Sequence, residues 1–348
     1  MKNDTITAIE GIRVGHARLD GIPSGCTVIL PDEGAAAGAD IRGGAPGTFG
    51  TDTLNPLNLV EKVNGLFFSG GSAFGLSAAD GVRRYLQERN IGFDTGHGLV
   101  PIVAGAIIFD LAVNKTGVYP GADLAFEACR NASSEPVEEG STGSGLGATV
   151  GKLFGFERCM KGGVGSSILH GAAGLKVGAL MIVNSFGDIV DPDTGIKVAG
   201  ARKSRESCEL VETVPALMKM ISFAGGFPGS ESTVIGAIAT NALLNKVQLT
   251  KVAQMTHDGL ARTVYPVHTQ YDGDAVFALS CGTLKGVEVS LIGALAVIAA
   301  GEAILRAVRK ARGVGGIPDV SGVGTISSYP HRSGSATLLP TESKRIKS

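Results

Sequence analysis

Two segments in the last third of the chain carry residue types that could do chemistry. Thr233 begins the segment Thr233 to Asn241, an apolar and β-branched run that predicts a buried strand. A hydroxyl at the first position of such a strand lies at the edge of a core, where it could act as a nucleophile once a base takes its proton. The second segment, His268 to Asp274, places two carboxylates on either side of a glycine, just before another predicted strand.

The acidic segment allows three interpretations. Asp272 and Asp274 could position a hydroxyl and hold an ammonium group, or they could join His268 in an oxygen-rich metal site. They could also form an ordinary turn before the strand, because Asp-Gly turns are common. Thr233 has an ordinary interpretation too, since β-branched residues favour strands. Neither segment decides the chemistry by itself.

Composition narrows the class of protein. The 348 residues are 44% apolar and 18% charged, which is enough apolar material for a large core. A net charge of −1 argues against nucleic acid or an acidic membrane surface as a partner. Five scattered cysteines without a CxxC pair, and no apolar signal segment after Met1, indicate a reducing, cytoplasmic location. The apolar run from Leu291 to Gly301 predicts a buried core helix.

The glycine-rich stretches match nucleotide-binding motifs poorly. The segment 147–152 resembles a phosphate loop, but its glycine spacing is one residue short and Leu153 stands where a Mg²⁺-binding Ser or Thr belongs. The segment 143–148 matches a dinucleotide fingerprint only loosely. No GxSxG sequence is present. We therefore expect no nucleotide and no other cofactor.

Strand-like and helix-like segments alternate along the chain without a charged or proline-rich linker, which predicts one α/β domain over residues 1–348. A basic tail, residues 335–348, is predicted to be disordered. The main predicted strands are Ile102 to Leu111, Val177 to Val183 and Ala275 to Cys281, and the main predicted helices are Ala122 to Arg130, Cys208 to Ser222, Lys246 to Ala261 capped by Asn245, and Gly286 to Arg312.

Four separated segments together resemble one family: Asp40 to Thr48 (DIRGGAPGT), Ser69 to Leu76 (SGGSAFGL), Thr233 to Asn241 (TVIGAIATN) and His268 to Phe277 (HTQYDGDAVF). The chain resembles the self-processing N-terminal-nucleophile hydrolases that include L-aminopeptidase/D-amidase-esterase, the β-aminopeptidases and the 6-aminohexanoate-oligomer (nylon oligomer) hydrolase. The resemblance runs from about Ile6 to Arg312. It implies a four-layer αββα sandwich and homotetramers of αβ units.

The resemblance also implies that the chain cuts itself before Thr233, giving an α chain of residues 1–232 and a β chain of residues 233–348. The amine freed on Thr233 has an ordinary pKa of about 8, so it can serve as the base for its own hydroxyl. Family members usually have Asn, Asp or Gly before the cut, and Ser232 departs from that pattern. Ser232 itself is the alternative nucleophile.

Further site residues follow from the same resemblance. Asn184 matches a family residue that steadies the oxyanion, and Lys152 matches a lysine near the nucleophile. Asp272 and Asp274 match the pair that positions the nucleophile in the nylon-oligomer branch. Candidates for contact with the substrate are Ser72, Phe74, Phe109 and Asp110.

The function implied is hydrolysis of small peptides or linear amides through an acyl-enzyme on Thr233. Acyl transfer of the ornithine acetyltransferase type uses the same fold and the same processed threonine, so it stays open. A third hypothesis is a metal-dependent hydrolase that uses Asp272, Asp274 and His268, and a fourth is a non-catalytic binding protein. The family's substrates include α-peptides, D-amino acid amides, β-peptides, pantetheine-like amides and nylon oligomers, and the sequence does not choose among them.

Overall fold

The computed structural model describes residues 3–207, 209–220 and 232–322. Its strands, in chain order, are β1 (Ile12–Arg18), β2 (Gly25–Pro31), β3 (Ala35–Ile41), β4 (Thr48–Phe49), β5 (Lys62–Val63), β6 (Gly65–Ser69), β7 (Phe93–Asp94), β8 (Leu99–Val100), β9 (Val103–Ile107), β10 (Thr149–Val150), β11 (Met160–Lys161), β12 (Gly163–His170), β13 (Lys176–Asn184), β14 (Asp188–Val190), β15 (Lys197–Ala199), β16 (Thr233–Ala242), β17 (Val264–Tyr265) and β18 (Ala275–Leu284). Its α-helices are α1 (Ala78–Gln87), α2 (Ala122–Arg130), α3 (Thr213–Leu217), α4 (Lys246–Thr263) and α5 (Val289–Lys310).

Most of the long strands form two sheets. The first has five strands in the order β1-β2-β6-β9-β4, and the second has six in the order β12-β13-β16-β18-β3-β5. Neighbouring strands are antiparallel except for the pairs β6–β9 and β16–β18, which are parallel. The strand that Thr233 begins is therefore internal, with β13 on one side and β18 on the other.

The two sheets and two helix pairs form four layers. Helices α1 and α2 pack on the five-stranded sheet, and α4 and α5 pack on the six-stranded sheet. Side chains of β16 alternate between two cores, as a strand covered on both faces requires. Val234 and Ile238 face α4 and α5, whereas Ile235 and Ala237 face the other sheet. The αββα sandwich expected from the resemblance is confirmed.

Helix α5 is the one helix of the described residues that is long and apolar enough to cross a bilayer, judged by length and composition alone. In the fold it packs against α4, β12 and β13. Of its most apolar 18-residue stretch, 61% is buried within the protein. It is the core helix that the apolar run at Leu291 to Gly301 predicted.

Two predicted helices had different outcomes. Asn245 caps α4 as predicted, and a reciprocal bond from its own backbone N–H to the Gln248 side chain completes a capping box. The predicted helix from Cys208 to Ser222 is wrong over its described part, where only Thr213–Leu217 is helical. Leu210 instead pairs with Arg202 in an isolated bridge, so tertiary pairing overrides the local pattern there. Cys208 and residues 221–222 lie outside the described residues, as does the predicted tail.

Candidate active site

Thr233 lies at the end of the layer between the two sheets. It is 4% exposed, and its register partner across the antiparallel pair is Asn184, the last residue of β13. The strand alternation places both side chains on the face that packs against the five-stranded sheet, together with Ile182 and Ile235. Residues 49 positions apart in the chain thus become neighbours at one edge of the core.

The hydroxyl of Thr233 meets the peptide bond that precedes it. Thr233 Oγ1 donates to the carbonyl oxygen of Ser232 at 2.6 Å. Gly273 donates its backbone N–H to the same oxygen at 2.8 Å. Ser232 and Asp272 form an isolated parallel bridge just beyond the ladder of β16 and β18. The Ser232–Thr233 peptide is therefore held as an extension of the sheet.

On the β13 side, Asn184 and Lys152 form a fully buried pair. Lys152 Nζ donates to the backbone oxygen and to Oδ1 of Asn184, at 2.8 Å each. The Thr149 N–H also donates to Oδ1, at 2.9 Å. Asn184 Nδ2 donates to the Phe109 carbonyl at 3.0 Å, which joins the end of β13 to the segment after β9 in the other sheet. These bonds set the orientation of the Asn184 amide.

On the β18 side, Asp274 fixes the backbone next to Thr233. Its Oδ1 accepts the Val234 N–H at 2.6 Å, and its Oδ2 accepts both the backbone N–H and the ring Nδ1 of His268, at 3.1 and 2.7 Å. His268 has φ 55°, the left-handed region, and its ring stacks edge-on against His257. Asp274 therefore joins the start of β16 to the turn before β18.

Asp272 closes the same turn. Its Oδ2 accepts the backbone N–H and the hydroxyl of Thr269, at 2.8 and 2.6 Å. Burial first, and then the nearby charge of Asp274, raise the pKa of this carboxyl to about 6, against the opposing effect of the Thr269 bonds and the positive charge of Lys152. The charges on the two sides of Thr233 therefore act on one another.

The glycine-rich segment Arg42-Gly43-Gly44-Ala45 supports the acidic turn from outside. The Gly44 N–H donates to the Thr269 carbonyl at 3.1 Å, and the Ala45 N–H donates to the Asp272 carbonyl at 2.9 Å. A Cβ atom at Gly43 would lie 2.1 Å from the Asp272 carbonyl oxygen. Only glycine allows this close backbone approach.

The four substrate-contact candidates lie in different surroundings. The Asp110 carboxylate is fully buried and accepts from Ser24 Oγ at 2.6 Å and from the Gly71 N–H at 2.7 Å; burial raises its pKa. Ser72 and Phe109 are half-buried. Phe74 is 58% exposed and stacks on Tyr119 with ring centroids 4.4 Å apart. Their contact with substrate stays a prediction.

The metal hypothesis finds little support in this geometry. Both Asp274 oxygens accept hydrogen bonds from the protein, and one of them accepts from the ring of His268, the further ligand of that hypothesis. In the part of the chain that the structure describes, no group of three or more His, Cys, Asp or Glu side chains is arranged to hold a metal ion. The acidic turn instead functions here as a hydrogen-bond acceptor.

The structure brings together Ser232, Thr233, Asn184, Lys152, Asp272 and Asp274, all of which the resemblance singles out. Sequence reasoning missed the Gly273 N–H, because a backbone donor leaves no residue-type signal. It also missed Thr269 and His268 as partners of the carboxylates. The spacing Thr-x-x-Asp from residue 269 to 272 could have indicated the first of these.

Comparison with known proteins agrees with the geometry. The model of peptidase family S58 matches residues 4–321. An uncharacterised aminopeptidase of Mycobacterium tuberculosis is 41% identical, over 90% of this chain and 96% of its own. The 6-aminohexanoate-oligomer endohydrolase of Paenarthrobacter ureafaciens is 30% identical, over 85% and 84%.

Solved structures show the same fold. A β-aminopeptidase of a Burkholderia species superposes with a TM-score of 0.64 at 22% identity, covering 89% of this chain and 87% of the other. The L-aminopeptidase D-Ala-esterase/amidase of Ochrobactrum anthropi, described as a variant of the Ntn hydrolase fold, gives 0.63 at 20% identity, with coverage of 89% and 86%. Both likenesses extend over most of the four-layer sandwich.

Proposed function

Because the chain belongs to peptidase family S58, we propose that it is a self-cleaving hydrolase with a threonine nucleophile. It is an N-terminal-nucleophile aminopeptidase or amidase by its family and relatives. In the proposal, the chain cuts itself between Ser232 and Thr233. The new terminus at Thr233 then attacks small peptides or linear amides and forms an acyl-enzyme.

One observation carries the proposal: Thr233 Oγ1 lies 2.6 Å from the carbonyl oxygen of Ser232. The hydroxyl and the carbonyl carbon of Ser232 are joined through only the Cβ, Cα and N atoms of Thr233, so the attack is intramolecular and closes a five-membered ring. A group held this close to its target avoids most of the entropic cost of a bimolecular encounter. The Val234 N–H bond to Asp274 keeps the start of β16 in place while the hydroxyl turns toward the carbon.

Self-cleavage is an N-to-O acyl shift followed by hydrolysis. Oγ1 forms a bond to the Ser232 carbonyl carbon, the bond from that carbon to the Thr233 nitrogen breaks, and the hydroxyl proton ends on that nitrogen. The shift has already freed the amine of Thr233; water then hydrolyses the ester, which leaves a carboxylate on Ser232 and frees the Thr233 hydroxyl. With a pKa of about 8, this amine can take the hydroxyl proton in later turnovers at neutral pH.

The flanking residues have distinct roles in turnover. The Asn184 amide, oriented by its bonds to Lys152, Thr149 and Phe109, is placed as a donor to the oxyanion of the substrate. Asp272 and Asp274 form a negative region that suits the ammonium form of the Thr233 terminus or of a substrate. Relatives named as aminopeptidases and as 6-aminohexanoate-oligomer endohydrolases support short linear amides as the substrate class.

Intact mass spectrometry of the purified full-length protein tests the mechanism. We expect two species, one ending at Ser232 and one beginning at Thr233. The Thr233→Ala variant should stay uncut and lose at least about 10⁴-fold of the amidase rate, as expected when a nucleophile is removed. Thr233→Ser is the matched control and should still cut, because it retains a hydroxyl. An active wild-type protein that is one uncut chain, or a smaller fragment that begins elsewhere, would contradict the proposal.

A further inference from the structure

The carbonyl group at the proposed cleavage point has a donor of its own. The Gly273 N–H points at the Ser232 oxygen at 2.8 Å, and the Thr233 hydroxyl approaches the same oxygen at 2.6 Å. We infer that the Gly273 N–H is the catalytic donor that holds the oxyanion formed on Ser232 during self-cleavage. This inference rests on the proposed self-cleavage and assigns its oxyanion site to a backbone group.

The donor is fixed before any reaction begins. The Asp272 N–H donates to the Thr269 carbonyl at 3.1 Å, and the Ala45 N–H donates to the Asp272 carbonyl at 2.9 Å, so the peptide that carries the Gly273 N–H is held from both sides. Asp274 continues the turn, tied to Val234 and His268. A donor that need not reorganise stabilises developing charge more strongly than one that must move.

There is also a steric reason for glycine at position 273, next to the Ser232 carbonyl and the Thr233 hydroxyl. A Cβ atom there would lie 3.0 Å from Thr233 Oγ1 and 2.9 Å from the Ala45 carbonyl oxygen. A side chain at position 273 would thus crowd the Thr233 hydroxyl while the backbone N–H of the same residue donates to the Ser232 carbonyl. A residue without a side chain lets the donor and the nucleophile share one carbonyl group.

During the N-to-O acyl shift, the Ser232 carbonyl oxygen gains an electron pair and then returns it. As Oγ1 bonds to the Ser232 carbon, the carbonyl electron pair moves to the oxygen that faces the Gly273 N–H. When the bond from this carbon to the Thr233 nitrogen breaks, the pair returns and the ester carbonyl forms. Asn184, which the family resemblance links to turnover, reaches the site from β13 on the opposite side. Self-cleavage and turnover therefore use separate donors.

An amide-to-ester replacement tests the donor without adding bulk. In the full-length chain, glycolic acid replaces Gly273 by stop-codon suppression, which exchanges the N–H for an ester oxygen without adding a side chain and also weakens the Asp272 carbonyl as an acceptor for the Ala45 N–H. We expect self-cleavage to slow about 10²- to 10³-fold, the usual cost of one oxyanion donor. The matched control is the same replacement at Gly171, whose N–H donates to the Leu175 carbonyl at 2.8 Å at the far end of β13, and it should cut at the wild-type rate.

The outcomes separate this inference from the proposed function. If wild-type protein cuts and the chain with glycolic acid at 273 cuts equally fast, the inference is overturned and the proposed function stands. If wild-type protein is never cut, the proposed function fails first. A second measurement applies if the ester chain does not fold: in the uncut Thr233→Ala variant, the Gly273 amide should exchange with deuterium at least tenfold more slowly than a free glycine amide. Exchange at the free rate would overturn the inference.

Discussion

The two sides of Thr233 are built in opposite ways. On the amide side, formed by Lys152 and Asn184, buried side chains bond to one another and to the Phe109 carbonyl of the other sheet. On the acidic side, residues 268–274, carboxylates accept mainly backbone N–H groups and the glycine-rich segment 42–45 packs against the turn. The amide side thus presents donors and positive charge, whereas the acidic side fixes the main chain.

This difference predicts which substitutions should affect turnover and which should affect the proposed self-cleavage. In the proposed mechanism, the substrate meets the side-chain donor of Asn184, so changes there should act on turnover. The Ser232–Thr233 peptide is held by the backbone of the acidic side, so changes there should act on the proposed self-cleavage and on stability. Substitutions on each side can test this division, and the largest effect is expected on the amide side.

Removing the donor on the amide side should reduce turnover most. Asn184→Asp keeps an oxygen for the Thr149 N–H and Lys152 but loses the Nδ2 donor. We expect kcat on an amino acid p-nitroanilide to fall about 10²- to 10³-fold, with self-cleavage within about tenfold of wild type. Intact mass and steady-state kinetics measure the two rates. An unchanged kcat, or a block of self-cleavage alone, would reverse the division between the two sides.

Altering Asp274 should act on structure first. In Asp274→Asn, one of the two acceptor oxygens becomes an NH₂ group that faces a donor, either the Val234 N–H or the His268 N–H. We expect a loss of about 1–3 kcal/mol in the free energy of unfolding and slower self-cleavage.

The matched control is Asp123→Asn, since the Asp123 side chain is 94% exposed. That change should stay within about 0.5 kcal/mol. Urea unfolding of both variants in an uncut Thr233→Ala background gives the values. Equal stabilities of the two would show that Asp274 does not hold the start of β16.

The smallest effect concerns pH. The pKa of Asp272 is raised from 3.8 to about 6, so the folded protein binds this proton more tightly than the unfolded chain does. Stability from this group is therefore present below about pH 4 and is lost as the pH rises to about 6. Asp272→Asn removes the titration, so its melting temperature should vary less across that range than that of the parent. Parallel curves for the two proteins, both in the Thr233→Ala background, would contradict the assignment.

Much of the site could be predicted because its residues stand at the ends of recognisable elements. Thr233 opens a β-branched run, Asn184 ends another, and the two acids precede a third. The resemblance in four segments indicated that these strand ends belong to one site. The predicted helix from Cys208 to Ser222 shows the limit, because over its described part Leu210 pairs with Arg202 and only Thr213–Leu217 is helical.

The sequence by itself determined the local features: the alternation that buries both faces of β16, the cap at Asn245 and the long apolar helix α5. These features follow from the types and the spacing of residues that lie close together in the sequence. Only the tertiary structure decided that the carbonyl of Ser232 meets the N–H of Gly273, 41 residues further along the chain. A backbone group is the same in every residue, so sheet pairing alone determines which peptide it contacts.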